Sequence, residues 1–159
     1  MRFCLFALAL TLSACELFGP GHVRRAVVTS VRVDRLDIDA PWDRSVLSPG
    51  DLPDVYVDVK GLPSSAFDVT GGLVYRSEIA ENLDRLPLTV YVGDEAAAFD
   101  LADSVRVDVV DRDGAGDDLM FTTGRFTFAD HYAGEAPGTP GQVEVASEAG
   151  RVVLGVRWE

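Results

Sequence analysis

The sequence predicts an all-β fold: one antiparallel β-sandwich of roughly eight strands behind a short N-terminal leader. Three observations predict it. Apolar and polar residues alternate in several short runs, the period-two signal of a half-buried strand. Gly, Pro and Asp fill the gaps, and the gaps are too short for the helical crossovers that a parallel sheet requires. Only Ser77–Leu86 and Glu95–Ala102 are candidates for helix, each about one to three turns, and both read equally well as loop.

The strands follow in order. Val27, Thr29, Val31 and Val33 alternate with Val28, Ser30, Arg32 and Asp34. Leu36 and Ile38 shift the apolar phase by one, which predicts a bulge near Asp34-Arg35. A loop rich in Asp, Pro and Gly runs from Asp39 to Pro53. Val55–Val59 is the next strand, closed by Gly61, and Leu73–Tyr75 follows the Gly71-Gly72 turn. Leu88–Val92 ends at Gly93-Asp94, and Val105, Val107 and Val109 alternate with Arg106, Asp108 and Val110. Phe121–Phe128 alternates Phe with Thr, Gly and Arg. Gly134–Gly141 is a flexible or polyproline-like connection to the closing pair, Val143–Ala146 and Val152–Trp158.

The leader carries its own message. Arg2 precedes an apolar run from Phe3 to Leu12, then two small residues, then Cys15, the n-region, h-region and cleavage pattern of a secretory signal. The run of about ten residues is too short to cross a hydrocarbon core, which needs roughly 20. Leu12-Ser13-Ala14-Cys15 resembles the lipobox of bacterial lipoproteins. That resemblance implies a signal peptide over 1–14, a lipidated Cys15 with a short tether over 15–23, and a soluble domain over 24–159 at a membrane face of the cell envelope. Acyl chains on Cys15 would supply firm anchoring, which one chain alone does not. Palmitate labelling that depends on Cys15 is the direct check. Cys4 lies within the signal, so the mature domain holds no internal disulfide.

The charge balance narrows the partners. There are 26 acidic residues against 14 basic, a net charge of -12, which becomes -13 once residues 1–14 and their Arg2 are removed. Such a surface repels nucleic acid and anionic headgroups unless a cation intervenes. Acidic residues gather in two loops: Asp43, Asp51 and Asp54 in the first, and Asp111, Asp113, Asp117 and Asp118 in the second. Calcium takes six to eight oxygen ligands, and short Asp side chains on turning loops reach those distances. Crowded carboxylates without a cation repel by about 1 kcal/mol per pair in water. Asp and Gly are also ordinary turn residues, so a solvated loop is the plainer reading of the same letters. The second loop is not an EF-hand, because Ala115 stands where an acidic ligand would be needed.

Pro53-Asp54-Val55-Tyr56-Val57-Asp58-Val59 resembles the strand start of C2 domains. Val109-Val110-Asp111-Arg112-Asp113, with Asp118-Leu119-Met120, resembles their later acidic loop, in the same order along the chain. The resemblance spans most of Val31 to Trp158. It implies an eight-stranded antiparallel sandwich with Ca2+ held at one end and phospholipid headgroups docking there. It implies Asp54 as a ligand of the first loop, with Asp43 or Asp51 as its partner, since Ser48 occupies the family's usual place. It implies Asp111 and Asp113 as a bridging pair and Asp118 as the closing ligand, with Asp117 able to substitute. The chain departs from the pattern at Val55, at Phe121 and in the length of the second loop. A lysine-rich strand is absent, Lys60 being the only lysine.

Catalysis finds little support. The histidines are His22, in the tether, and His131, best read as a turn residue. No nucleophile elbow, phosphate-cradling Gly loop or Cys/His zinc cluster occurs. Trp158 reads as core or edge packing, and Trp42 as a cap on the sandwich or a membrane contact beside Asp43. The sequence therefore predicts a non-enzymatic, lipid-anchored extracytoplasmic module. Its first reading is weak Ca2+-dependent attachment to phospholipid headgroups or an acidic partner, with Kd of roughly 10⁻⁴–10⁻³ M. Its second is a metal-independent structural or assembly lipoprotein that binds another envelope protein, and its third a carbohydrate-binding or adhesive sandwich.

Overall fold

A computed structural model describes residues 22–36, 52–62, 72–93, 97–113 and 116–159. Cys15, Trp42, Asp43 and Asp51 lie outside the described residues. Among the described residues there are ten strands: β1 (Arg25–Leu36), β2 (Val55–Leu62), β3 (Gly72–Arg76), β4 (Leu88–Tyr91), β5 (Ala98–Asp100), β6 (Ser104–Asp111), β7 (Asp118–Thr122), β8 (Phe126–Thr127), β9 (Pro140–Ala146) and β10 (Gly150–Trp158). They form two antiparallel sheets, the sandwich expected from the alternation. One sheet has the order β4-β1-β10-β9, with β5 sharing β1, and the other has the order β3-β2-β6-β7, with β8 sharing β6. No described helix is long and apolar enough to cross a membrane.

Inward-facing valines build the core. Val55, Val57 and Val59 of β2 and Val105, Val107 and Val109 of β6 are fully buried against Val31, Val33, Val152, Leu154 and Val156 of the opposite sheet. Trp158 lies at one end of this core, with Phe128 and Tyr132 rings 6.2 and 5.2 Å from its own.

The strands differ in detail from the sequence expectations, each time for a visible reason. The bulge expected near Asp34-Arg35 is there, between Val33 and Arg35 in the β1–β10 register. A second lies between Val28 and Ser30. It turns Ala26 and Val28 inward, so the inward set is Ala26, Val28, Val31, Val33 and Leu36 rather than one continuous alternation. Ser77–Leu86 forms no helix, because β2 takes its backbone groups. Ser77 N–H donates to Val57 O, Ala80 and Val55 exchange two hydrogen bonds, and Leu83 N–H donates to Pro53 O. Glu95–Ala102 contains the short strand β5 and a following turn. The run from Phe121 to Phe128 breaks at Thr123–Arg125, and Phe128 opens a single 3-10 turn capped by the Thr127 hydroxyl. His131 sits in the turn that follows.

Packing between the sheets defines two poles. Leu36 pairs with Gly150, and a Cβ on Gly150 would fall 2.6 Å from the ring of Phe121, which pairs with Val109 near the end of β6. At the other pole Ala26 pairs with Trp158 and Phe99, and a Cβ on Gly61 would fall 2.6 Å from the Phe99 ring. The chain therefore enters β1 at one pole. The end of β1, the start of β2 and the end of β6 lie at the other.

Candidate functional site

The pole where β2 starts and β6 ends carries the acidic residues that the sequence singles out. The ladder sets the spacing: Val55 pairs with Asp111, and Asp111 pairs with Asp118. Asp54, Asp111 and Asp118 thus come from three adjacent strand ends. The connection carrying Asp43 and Asp51 begins at Leu36 and re-enters at Leu52, both at this pole.

Asp111 is the fixed point of the arrangement. It is fully buried, and its Oδ1 accepts the backbone N–H of Asp54 at 2.9 Å. Arg112 N–H in turn donates to Asp54 O at 2.8 Å, which locks the two loops together. Asp54 is half-buried, and its Oδ1 accepts the Asn82 N–H at 2.8 Å. Asn82 adopts a left-handed backbone with φ of 52°, a conformation that Asn tolerates better than most residues. Asp113 is half-buried on the same loop.

Asp117 and Asp118 have different surroundings. Asp117 Oδ2 accepts the Tyr56 hydroxyl at 2.7 Å. Asp118 is exposed, and its carboxylate makes no hydrogen bond or ion pair among the described residues. Of the two neighbours, Asp118 is thus the one whose oxygens remain open to a ligand. Leu52, 38% exposed, and Leu119, 55% exposed, flank this acidic pole and present apolar side chains to solvent.

Tyr56 is a residue whose role the strand pattern did not reveal. Its side chain lies on the outer face of the β2–β6 sheet, buried beneath the Arg76 guanidinium, which stands 4.4 Å from the ring centroid. Burial, followed by the hydrogen bond to Asp117, pushes the phenol up to about 12. The unfolded chain releases this proton near pH 10 and the folded chain near 12, so the folded state loses stability as pH rises between those values. Tyr56→Phe is expected to flatten that decline by on the order of 1 kcal/mol, read from urea midpoints at pH 9 and pH 11. Equal slopes for the two proteins would show that Tyr56 does not carry it.

Along the same outer face, Asp58 and Asp108 stand directly opposite each other, 2% and 3% exposed. Arg76 binds Asp58 through two hydrogen bonds of 2.7 and 2.8 Å. Lys60 Nζ donates to Asp108 at 2.7 Å, and Arg106 reaches the same oxygen at 3.0 Å. Three cations and two carboxylates therefore form one compact network.

Among the described residues, no group of three or more His, Cys, Asp or Glu side chains comes together as a metal cage. Asp54, Asp111 and Asp117 each give one oxygen to a protein donor. The donors at the pole are all carboxylate oxygens, which fits a hard divalent cation. The other predicted ligands, Asp43 and Asp51, lie outside the described residues.

No protein-family model and no curated protein matches the chain. Solved structures do. A C2 domain of plant extended synaptotagmin 1 aligns over 86% of this chain and 95% of its own, with a TM-score of 0.52 and 12% identity. The fold is C2-like. Human GIVD cytosolic phospholipase A2, solved in complex with methyl gamma-linolenyl fluorophosphonate inhibitor and terbium chloride, aligns over 87% of this chain with a TM-score of 0.54 and 15% identity. The match covers 18% of the phospholipase, so this chain spans under a fifth of that protein's length. At these identities the likeness is one of fold.

Proposed function

We propose that the chain is a non-enzymatic, lipid-anchored binding module of a bacterial cell envelope, facing away from the cytoplasm. In this reading its acidic pole binds Ca2+ weakly and attaches to anionic phospholipid headgroups. The supporting observation is the pole itself: Asp54 and Asp111 joined through a backbone hydrogen bond, Asp118 beside them with an open carboxylate, and exposed Leu52 and Leu119 on the flanks. Ca2+ would offset the mutual repulsion of the carboxylates and bridge to headgroup phosphate. Asp111 and Asp54 orient the loops, Asp118, Asp113 and the Asp43 or Asp51 side chain complete the oxygen set, and the leucines provide apolar contact with acyl chains. Cys15 is the proposed lipid attachment site.

A metal-independent assembly role has its own support, because three of the carboxylates already accept hydrogen bonds from the protein. Calorimetry separates the two readings. Titration with Ca2+ is expected to give a saturable heat with Kd of roughly 10⁻⁴–10⁻³ M and an EDTA-reversible rise in melting temperature. Absence of both at millimolar Ca2+ would remove the ion and leave the metal-independent readings, the assembly role first among them.

A further inference from the structure

We propose that the chain binds a partner protein at a second site, distinct from the acidic pole and needing no metal: an extended segment of the partner, apolar and basic, adds as a strand to β4. The site lies along the side of the sandwich where the two sheets part. β4 ends one sheet and β3 ends the other. Between them is a cleft of about 480 Å3, walled by Tyr75, Ile79, Leu88, Val90 and Tyr91, with Glu78 on its lining. The Tyr75 hydroxyl crosses the gap and donates to Tyr91 O at 3.2 Å. The register fixes which backbone groups face this gap. Val31 pairs with Val90 and Val33 with Leu88, and Val92 N–H donates to Thr29 O. Leu88, Val90 and Val92 therefore turn their backbone groups toward β1, and Thr89 and Tyr91 turn theirs outward, in agreement with the Tyr75 bond to Tyr91 O. Among the described residues, nothing accepts the N–H groups of Thr89 and Tyr91.

These features select the occupant. The strand itself, Leu88–Tyr91, carries neither charge nor proline, two of the usual guards of an open edge. Tyr91 is 81% exposed, and Leu73 and Val74 of the facing edge strand are exposed as well. A lipid or other apolar ligand would cover the Thr89 and Tyr91 N–H groups without giving them acceptors. A polypeptide strand supplies the acceptors and sets alternate side chains into the cleft, against Leu88 and Val90. Charge completes the match. Glu78 and Glu81 are exposed, and neither carboxylate makes a hydrogen bond or ion pair among the described residues. Arg112 lines a neighbouring cavity with Glu78 but forms no ion pair with it. On a chain of net charge -12, a Lys or Arg of the partner is the complement to these carboxylates. The β4 strand of a second copy brings no such cation.

The test begins with a phage-displayed library of short random peptides, selected on the full chain in EDTA. Recovered peptides are expected to alternate apolar residues and to carry Lys or Arg. A synthetic copy of the strongest is then titrated by fluorescence anisotropy. Thr89→Pro removes one outward N–H and leaves the bonds between β4 and β1 in place, since proline is tolerated where an edge N–H faces outward. This variant and Glu78→Lys are each expected to weaken binding by about tenfold. N-methylation of the peptide at alternate residues asks the same question with the wild-type chain: one phase should abolish binding and the other should leave it intact. Failure to recover any binder overturns the inference, as does binding that is indifferent to N-methylation or to Glu78→Lys. A chain that dimerises in light scattering and is made monomeric by Thr89→Pro overturns it too, because the occupant is then a second copy. Every step is run in EDTA, so a negative result leaves the proposed Ca2+ attachment standing, and a failed Ca2+ titration leaves this site standing.

Discussion

Asp111→Asn is expected to abolish the Ca2+-dependent rise in melting temperature while leaving the fold near its wild-type stability. The asparagine side-chain oxygen can still accept the Asp54 N–H, so the hydrogen bond between the two loops survives. What disappears is the charge on a fully buried carboxylate at the centre of the pole. Asp111→Ala removes both. It leaves the Asp54 N–H without its acceptor and is expected to cost a further 1–3 kcal/mol or so of stability, the penalty of an unsatisfied donor. Comparing the two variants by differential scanning fluorimetry, with and without Ca2+, separates positioning from ligation. Asp117→Asn provides the contrast: Tyr56 already engages that carboxylate, so the Ca2+ response should remain close to wild type. Asp118→Asn should weaken it. An Asp111→Asn protein that retains the full Ca2+ shift would remove this residue from the proposed shell.

The architecture was legible because valine alternation is a strong signal wherever one face of a strand is buried. Val55, Val57 and Val59 against Val105, Val107 and Val109 needed only that rule. The bulge at Asp34 was legible for the same reason, since the apolar phase visibly slips at Leu36. The bulge at Thr29 was not. Val27 and Val28 are both apolar and both buried, so either could have been read as the inward residue. Phase is ambiguous where two valines are adjacent, and only pairing with Val156 and Gly155 resolves it. Ser77–Leu86 resisted assignment because its order comes from hydrogen bonds to β2, which no local pattern encodes.

The acidic pole was legible to a lesser depth. Residue type and loop order brought Asp54, Asp111 and Asp118 to adjacent strand ends, as the ladder shows. The family resemblance ranked Asp118 ahead of Asp117, but no local pattern showed what separates their surroundings. The distinction depends on the Tyr56 hydroxyl, 61 positions away along the chain. Nor did counting lysines describe the cationic groups. Arg76 and Arg106 join Lys60 on the outer face of the sheet, and two buried aspartates meet them there. That face is a closed ion network, which a count of one residue type could not foresee.

Asp58→Ala tests what this network contributes, and it is expected to be among the most destabilising single changes in the described strands. Asp58 is 2% exposed and holds the Arg76 fork, with Lys60 Nζ also 3.8 Å away. Its removal strands Arg76 over the Tyr56 ring and leaves three cations facing the single carboxylate of Asp108. Breaking a buried pair from one side costs about 3–5 kcal/mol. The Arg76 side chain is half exposed and recovers some hydration, so a loss near the lower end, about 3 kcal/mol, is expected in urea unfolding. Replacing Asp58 and Arg76 together by apolar residues should cost far less than the sum of the single changes, because no charge is left stranded. The alternative is that the pair acts only as a surface salt bridge, worth about 0–1 kcal/mol. A double-mutant cycle decides: a coupling energy below about 0.5 kcal/mol would place Asp58 with ordinary surface pairs. A coupling of about 2 kcal/mol or more would show that the two facing carboxylates persist on adjacent strands because their cations are in place.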